Sequence, residues 1–401
     1  MRPGSVLLVT PRWTRDGGVA THVVASAAAL AAHGVEVHVL AARLELEEPI
    51  AGVTLHRSRA LADARAAPEV RVGAVGSLSP SVVHLHQFED PDVVALLAQT
   101  SPVVLSVHGY SACTSGVHYF RPGQECARAH GRGCIPNLLL RGCAHARNPL
   151  PLRGSYRRTT RSLQVLARTD LAISYSSAVD RHLADNGVAP RTRVPLFATV
   201  APASADGHAS RRRVVFAGRV VPPKGVGVLL RAARAVQAEF VVCGDGRQLQ
   251  AMRALARRLG VGERVRFTGW LGAQELAQEL AEASVVAVPS LWPEPVGLVG
   301  IEALAAGRPV VASATGGVGD WLEHGVNGLA VAPGDVRALA GALQELLEDP
   351  ERQRQMGAAG RRTVAERFTP EHHVAALLQA YETARASWSA GRARTPMGAA
   401  V

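Results

Sequence analysis

The chain has 401 residues, of which 47% are hydrophobic and 19% charged, and its formal net charge is +11. This length exceeds what one ordinary hydrophobic core organises, and the composition is that of a globular protein, so we expect two folded domains. No segment approaches the roughly 20 apolar residues of a membrane-spanning helix, and the short apolar run Ser5–Thr10 is unlike a secretory signal. We therefore expect a cytoplasmic protein, at most peripheral at the inner face of the membrane.

The positive charge is concentrated in one segment. Between Ser111 and Thr169, ten arginines stand against one acidic residue, Glu125, whereas acids and bases are interspersed in the C-terminal half. Two interpretations are equally open: a functional basic face for a polyanion such as an anionic membrane or a phosphorylated substrate, and the general arginine usage of an Ala- and Arg-rich sequence. No nucleic-acid-binding motif accompanies the arginines, so nucleic acid is not an expected partner.

The first half alternates short β-branched runs with helical patterns. Strands are predicted at Val6–Thr10, Glu36–Leu40, Val82–His86 and Val103–His108, with a helix over Val19–Ala32. Because strands separated by helices pair in parallel, this order predicts a doubly wound sheet. We assign residues 1–197 to this N-terminal domain, with a Cys- and Arg-rich insertion over 111–169.

A second sheet is predicted after an Ala-, Ser- and Pro-rich linker at 198–213. Short apolar strands recur at Val214–Ala217, Phe240–Cys243, Val265–Phe267, Val285–Val288 and Val310–Ala312. We assign 214–370 to this C-terminal domain, 371–386 to a helix that packs back toward the first domain, and 387–401 to a disordered tail. The fold class is therefore α/β, with two doubly wound Rossmann-like domains facing across a cleft, where ligands lie beyond the carboxyl ends of the strands.

The strongest motif lies in the segment Pro289–Leu304. It places Glu294 in a loop after a buried strand and Glu302 about two turns further along, on a helix that begins near Gly297. Carboxylates accept hydrogen bonds from hydroxyl groups, and the free N–H groups and positive end of a helix suit phosphates. One element would thus serve a sugar, a ribose and a diphosphate. The alternative is that Glu294 caps the helix and Glu302 is merely solvated.

A second motif, Gly218–Gly225, contains the only lysine among the chain's 44 lysines and arginines, Lys224. Lysine and arginine differ in size, donor geometry and hydration, so a single lysine in an arginine-rich chain suggests that a compact ammonium is needed there. With Arg219, it makes a diphosphate clamp at the carboxyl end of a strand. A surface lysine in a proline-rich turn is the alternative.

Two weaker motifs lie in the first domain. Gly17 and Gly18 precede a helix, where the backbone approaches a ligand closely, although the pattern is not the dinucleotide-binding fingerprint. His108 ends an apolar strand, where it either faces the cleft or is a satisfied core histidine.

Together these motifs resemble the retaining family-4 glycosyltransferases of the GT-B fold, the glycosyl transferases group 1. The resemblance extends over about residues 5–385 and rests on Glu294/Glu302, Arg219/Lys224, Gly17-Gly18-Val19 with His22, His108, Gly244-Asp245-Gly246, Gly316-Gly317 and Asn327-Gly328. It implies transfer of a sugar from a nucleotide-diphosphate sugar to an acceptor hydroxyl with retention of anomeric configuration. Two departures, Gly109 and the residues Leu196–Ala198 that follow Pro195, lie outside the donor motif.

The resemblance also implies a role for each site residue. Glu302 would bind the ribose and Glu294 the transferred sugar, and the catalytic set would be His108, Glu294, Arg219 and Lys224. The remaining donor-binding positions would be Gly17, Gly18, Gly297, Leu298 and Val299. No catalytic metal or other cofactor is required, since two cations and a helix end already stabilise the leaving diphosphate.

The donor and acceptor are expected only as classes. A UDP-sugar is the favoured donor, with GDP- and dTDP-sugars as alternatives, and the acceptor is a lipid-linked glycan or a small metabolite. A nucleotide-sugar epimerase or hydrolase of the same fold is an alternative function, as is a non-catalytic sugar-nucleotide-binding subunit. The intact set of two glutamates, an arginine and a lysine argues against the non-catalytic reading.

Four cysteines fall within the insertion: Cys113, Cys126, Cys134 and Cys143. Their spacing does not match zinc ribbons, and a structural zinc, disulfides and free thiols are the open alternatives. We expect the insertion to shape the acceptor pocket, so the N-terminal domain is the expected acceptor-side domain. The insertion would contain a basic helix whose apolar face lies either on this domain or on an anionic membrane. The fifth cysteine, Cys243, is expected in the core.

Overall fold

The structure is a computed structural model and describes residues 4–394 except 47, 64, 89, 114–118, 122–123, 127, 141–142, 144–148 and 201–211. Its residues divide into two compact units. The first comprises Met1–Gly116, Ala127–Pro195 and Pro370–Val401, and the second comprises Val117–Cys126 and Leu196–Thr369.

The first unit is built on a parallel sheet of seven strands among the residues described. The strands up to the linker are β1 Ser5–Trp13, β2 Glu36–Leu44, β3 Val53–Arg57, β4 Val82–His86, β5 Val103–Val107, β6 Tyr119–Arg121, β7 Gln124–Glu125, β8 Leu171–Ser174 and β9 Arg191–Arg193. The order is β3-β2-β1-β4-β5-β8-β9. Strands β6 and β7 form a separate antiparallel pair in the segment Val117–Cys126, which belongs to the second unit. Strands β4 and β5 are buried at every position, as expected for the central strands of a parallel sheet that is covered on both faces.

Helices cover this sheet between the strands. They are α1 Gly18–Ala32, α2 Pro68–Val72, α3 Pro91–Leu97, α4 Cys134–Leu140, α5 Pro149–Leu166 and α6 Ser177–Asp185. Helix α5 is the basic helix predicted in the insertion, and it packs against α3 and α4. Its residues Thr159, Ser162, Val165 and Leu166 are buried in the first unit, so at least these positions face protein rather than lipid.

The second unit contains a six-stranded parallel sheet in its described residues. Its strands are β10 Arg213–Ala217, β11 Glu239–Cys243, β12 Val265–Gly269, β13 Val285–Val288, β14 Val310–Ser313 and β15 Gly328–Val331. Its helices are α7 Val226–Ala232, α8 Leu249–Arg258, α9 Ala273–Glu282, α10 Leu298–Ala305, α11 Val336–Glu348 and α12 Pro350–Arg367. The strand order is β12-β11-β10-β13-β14-β15. The chain builds the sheet outward from β10 to one side and then continues from β13 on the other side, so the topological switch point lies between β10 and β13. Ligands of such sheets bind at the carboxyl ends of the strands at the switch point.

The chain ends in a long helix, α13 Pro370–Arg394, which belongs to the first unit. The prediction of a disordered tail from residue 387 is wrong for 387–394, which are helical, and residues 395–401 lie outside the described part. The missed anchor is Trp388, whose Nε1 donates a hydrogen bond of 3.0 Å to the carbonyl oxygen of Ala98. None of the described helices is long and apolar enough to span a membrane.

Candidate functional site

Four loops of the second unit are tied together at the carboxyl edge of its sheet. The backbone of the Gly218–Gly225 loop bonds to the 244–246 turn through Val220 N and Asp245 O at 2.8 Å. The same loop accepts a hydrogen bond from the loop after β13, in which Leu291 N donates to Pro223 O at 2.8 Å. The loop after β13 in turn accepts from the loop after β14, where Gly317 N donates to Glu294 O at 2.7 Å. The two sequence motifs that were far apart in the chain are therefore brought side by side at the switch point.

Two glycines permit this close approach. Gly225 has φ +72°, and a Cβ on it would lie 1.8 Å from the carbonyl oxygen of Pro289. Gly316 has φ +61°, and a Cβ there would lie 2.2 Å from the carbonyl oxygen of Glu294. Both positions combine a left-handed backbone with a backbone neighbour that cannot move aside, so a side chain at either would push the loops apart.

Lys224 and Glu294 form the central ion pair of this site. Nζ of Lys224 lies 2.6 Å from Oε1 of Glu294, and Ser290 Oγ donates to the same oxygen. Lys224 Nζ also lies 5.9 Å from the ring centroid of Trp292, within reach of a cation–π interaction. Glu294 is only 2% exposed. Burial alone would raise the pKa of Glu294, but the charge of Lys224 and the hydrogen bonds of Lys224, Ser290 and Trp292 outweigh it and hold the pKa below its ordinary value.

The helix that follows Glu294 begins with exposed donors. Gly297, at φ +83°, is the N-cap of α10, and within the described chain no side chain caps the helix start. The first turn is held in place by Trp321, whose Nε1 donates to Val296 O at 2.6 Å and whose ring packs against Gly300. The N–H groups of Leu298 and Val299 and the positive helix end are therefore fixed in position for an anion. Arg219 is exposed on the neighbouring loop.

Glu302, on the same helix, has a different environment. It is 7% exposed, and its Oε1 accepts a hydrogen bond of 2.8 Å from Thr199 Oγ1. Burial raises the pKa of Glu302 to about 7, and hydrogen bonds from the Thr199 hydroxyl and from the backbone N–H groups of Thr199 and Val200 limit the rise. Sequence reasoning missed Thr199, because its segment was assigned to the linker and carries no motif.

The first-unit residues lie at the corresponding edge of the other sheet. Gly17, at φ +94°, is the N-cap of α1, and the helix begins at Gly18. His108 follows β5, and its Nε2 lies 3.1 Å from Nδ1 of His86. Burial lowers the pKa of His108 to about 3, so this imidazole is neutral at physiological pH. His108 therefore acts as a hydrogen-bonding group there, and its contact with a sugar stays a prediction.

His108 is half-buried and belongs to an otherwise buried group that we call the histidine cluster, which the sequence did not reveal. It consists of His22, His84, His86, His108 and His373 with Tyr175, Tyr381, Ser26 and Ser106. His84 is hydrogen-bonded to Tyr381 at 2.8 Å and to Ser106 at 2.7 Å, while His373 contacts Ser26 at 3.0 Å. The cluster thus joins α13 to α1 and to the central strands of the first unit.

The cysteines give no assembled metal site. Among the residues that the structure describes, no group of three or more His, Cys, Asp and Glu side chains is placed to hold a metal ion. This arrangement does not support a structural zinc at Cys113, Cys126, Cys134 and Cys143, which stays a prediction. Cys243 is buried as expected, and burial, together with the charge of Glu279, raises its pKa to about 12.

Sequence comparison places the chain in a family. Residues 16–195 match the family described as Glycosyltransferase Family 4, and residues 205–363 match Glycosyl transferases group 1. The D-inositol 3-phosphate glycosyltransferase of Nocardia farcinica is 30% identical over 98% of this chain and 90% of that protein. The chain therefore belongs to the group 1, family-4 glycosyltransferases. A GDP-mannose-dependent alpha-(1-6)-phosphatidylinositol monomannoside mannosyltransferase of Mycobacterium tuberculosis is 38% identical, but the match spans only 38% of this chain and 43% of that relative.

Solved structures agree on the architecture. The sucrose-phosphate synthase of Thermosynechococcus elongatus superposes with a TM-score of 0.73 at 21% identity, over 96% of this chain and 99% of the other. HepE of Anabaena, in complex with UDP-glucose, gives a TM-score of 0.67 at 19% identity, again over 96% of this chain and 99% of the other. The chain has the GT-B fold, as its motifs predicted.

Proposed function

We propose that this glycosyltransferase moves a sugar from a nucleotide-diphosphate sugar to an acceptor hydroxyl, with retention of anomeric configuration and without a catalytic metal. The observation that carries the proposal is the Lys224–Glu294 pair of 2.6 Å at the switch point, beside the uncapped start of α10. This pair supports the proposal because a cation, a carboxylate and oriented N–H groups lie at the switch point, and ligands of open α/β sheets generally bind there.

The leaving diphosphate needs stabilisation of negative charge. Lys224, Arg219 and the N–H groups of Gly297, Leu298 and Val299 would supply it from fixed positions, which costs no reorganisation when the bond breaks. Such an arrangement does the work of a divalent cation on the phosphates, and this is why we propose metal independence. Gly17 and Gly18, at the start of α1, would bind the phosphates or the acceptor through their backbone.

Glu294 suits sugar binding better than proton abstraction. Its lowered pKa and its contacts with Lys224 and Ser290 make it a weak base, and as a carboxylate it accepts hydrogen bonds from the hydroxyls of the transferred sugar. We propose that the acceptor oxygen bonds to the anomeric carbon on the face from which the diphosphate departs. The acceptor proton then passes to a phosphate oxygen of the leaving group, which balances the charge.

For the donor and acceptor, the relatives give the best support. One solved neighbour holds UDP-glucose and one partial relative is named for GDP-mannose, so UDP- and GDP-sugars are the first donors to test, followed by dTDP-sugars. The relative that matches nearly the whole chain is named for D-inositol 3-phosphate, and this favours a small phosphorylated polyol over a lipid-linked glycan as acceptor.

The experiment is a donor screen with and without acceptor, in buffer containing EDTA, followed by NMR of the product's anomeric proton. We expect an acceptor-dependent glycoside with the donor's configuration. Consumption of donor without acceptor would indicate the epimerase or hydrolase, and nucleotide binding without turnover of any donor would indicate the sugar-nucleotide-binding subunit. A strict requirement for magnesium or manganese would contradict the proposed cationic clamp.

A further inference from the structure

Glu302 is held by the short segment that precedes β10. Thr199 Oγ1 donates to Glu302 Oε1 at 2.8 Å, and the backbone N–H groups of Thr199 and Val200 donate to the same carboxylate. The segment is itself anchored, because Leu196, Phe197 and Val200 are buried. Three donors on an anchored segment fix the orientation of the carboxylate.

These donors matter because Glu302 has no cationic partner among the residues that the structure describes. Two kinds of cause set the pKa of Glu302: burial raises it, and the three hydrogen bonds lower it. Charged residues on the neighbouring helices, the glutamates of α9 and Arg361 of α12, which donates to Ala306 O, are not among these causes. Hydrogen bonds to the ionised form of a buried carboxyl favour that form. Here they are the only stabilising contribution in the described surroundings.

A carboxylate offers about four lone-pair positions, so three donors leave room for a ligand. We propose that Thr199 is a positioning residue: it orients Glu302 and keeps the remaining lone-pair position of the carboxylate available to a hydroxyl of the donor's ribose. This inference rests on the proposed function, because it requires that a ribonucleotide bind at Glu302. Thr199 itself does not touch the ligand; it acts through the carboxylate.

The test is the affinity of nucleoside diphosphates for Thr199→Val, which keeps the side-chain shape and removes the hydroxyl. Losing one hydrogen bond to a carboxylate raises its pKa by about one unit. From a starting pKa of about 7, the ionised fraction at pH 7 then falls about fivefold. We expect the dissociation constant of UDP or GDP, by calorimetry, to rise about fivefold at pH 7 and less than twofold at pH 9.

Three controls separate positioning from a general structural effect. The 2′,3′-dideoxy form of the same nucleoside diphosphate keeps the phosphates but lacks the hydroxyls, and Thr199→Val should bind it like the wild type. Thr199→Ser keeps the hydroxyl and should restore wild-type affinity. In a Glu302→Gln background the effect of Thr199→Val should disappear, since the two residues act on one interaction.

The outcomes distinguish the inference from the proposed function. Equal losses for the ribo and dideoxy nucleotides, a loss that does not change with pH, or failure of Thr199→Ser to rescue would each overturn the positioning role. If Thr199→Val does not fold, the wild-type protein decides: its ribo-to-dideoxy affinity ratio should rise about tenfold from pH 6 to pH 8, and a flat ratio overturns the inference. If no nucleoside diphosphate binds the wild type, the proposed function fails and the inference falls with it.

Discussion

Acid should unfold the first unit, because its histidine cluster is neutral in the folded state. Burial lowers the pKa of His84 and His108 to about 3 and that of His373 to about 4. In the unfolded chain these groups return to about 6.5. The pKa values of these histidines are lowered by burial and by the charge of neighbouring histidines. No carboxylate is among the causes of the shifts. The unfolded state therefore takes up protons first as pH falls.

The size of the effect follows from these values. The contribution of these histidines to the free energy of unfolding is fully present above pH 6.5 and decreases as the pH falls below 6.5. The reason is that only the unfolded chain binds protons between pH 6.5 and the folded-state pKa values. Each such histidine loses about 2 kcal/mol of stability at pH 5, so the three together lose about 6 kcal/mol. This is an upper value, but it is comparable to the whole stability of a typical domain, about 5–15 kcal/mol.

The assay is urea unfolding followed by circular dichroism between pH 8 and pH 5, on the wild type and two neighbouring variants. His373→Gln removes one buried titrating group and should make the pH dependence shallower by about 1.4 kcal/mol per pH unit. His372→Gln is the matched control, because His372 is exposed and next in sequence. A free energy of unfolding that stays constant from pH 7.5 to pH 5, or equal pH dependence in all three proteins, would refute the reasoning.

Three further predictions concern the site and the surface. In steady-state kinetics, Lys224→Ala should lower turnover about 10²–10³-fold, which is the scale of losing a fixed charge partner. The control Arg258→Ala, on the exposed face of α8, should leave turnover unchanged. Gly225→Ala should lower the melting temperature far more than Gly260→Ala: both have φ near +70°, but only at Gly225 does the Cβ meet backbone, at 1.8 Å. If the exposed Arg157 and Arg158 of α5 face a membrane, the protein should sediment with anionic vesicles but not with neutral ones, and high salt should release it. Binding to both vesicle types would contradict this.

Local patterns were sufficient to predict the donor-site loops and nine of the thirteen described strands of the two parallel sheets, but not β3, β8, β9 and β15. Strand β13 was predicted at its observed bounds because a buried parallel strand is a continuous apolar run with breakers at its ends, here Pro289. The loops beside it were predicted for a similar reason: Gly218–Gly225 and Pro289–Gly297 follow strands, and topology alone brings the carboxyl ends of neighbouring strands to one edge.

Contacts between distant side chains could not be predicted in this way. The hydrogen bond between Thr199 and Glu302 joins residues about a hundred positions apart, and nothing in the local sequence of Thr199 marks it. The histidine cluster draws on two helices and several strands, so its members carry no common spacing. Trp388 was missed for the same reason: its partner, Ala98, lies almost three hundred residues earlier, and the tail looked aperiodic without it.

The two glutamates of the donor motif have opposite electrostatics, and this divides their work. Both are buried, yet the charge of Lys224 keeps the pKa of Glu294 below its ordinary value, whereas burial without a cation raises the pKa of Glu302 to about 7. Glu294 is therefore a permanent anion at physiological pH, and Glu302 is ionised only in part. A pH change from 6 to 8 should then strengthen ribose binding through Glu302 while leaving the charge state of Glu294 unaltered. Under the proposed function, the pH dependence of the ribo-to-dideoxy affinity ratio would report on Glu302. Effects on binding of the transferred sugar at constant pH would report on Glu294.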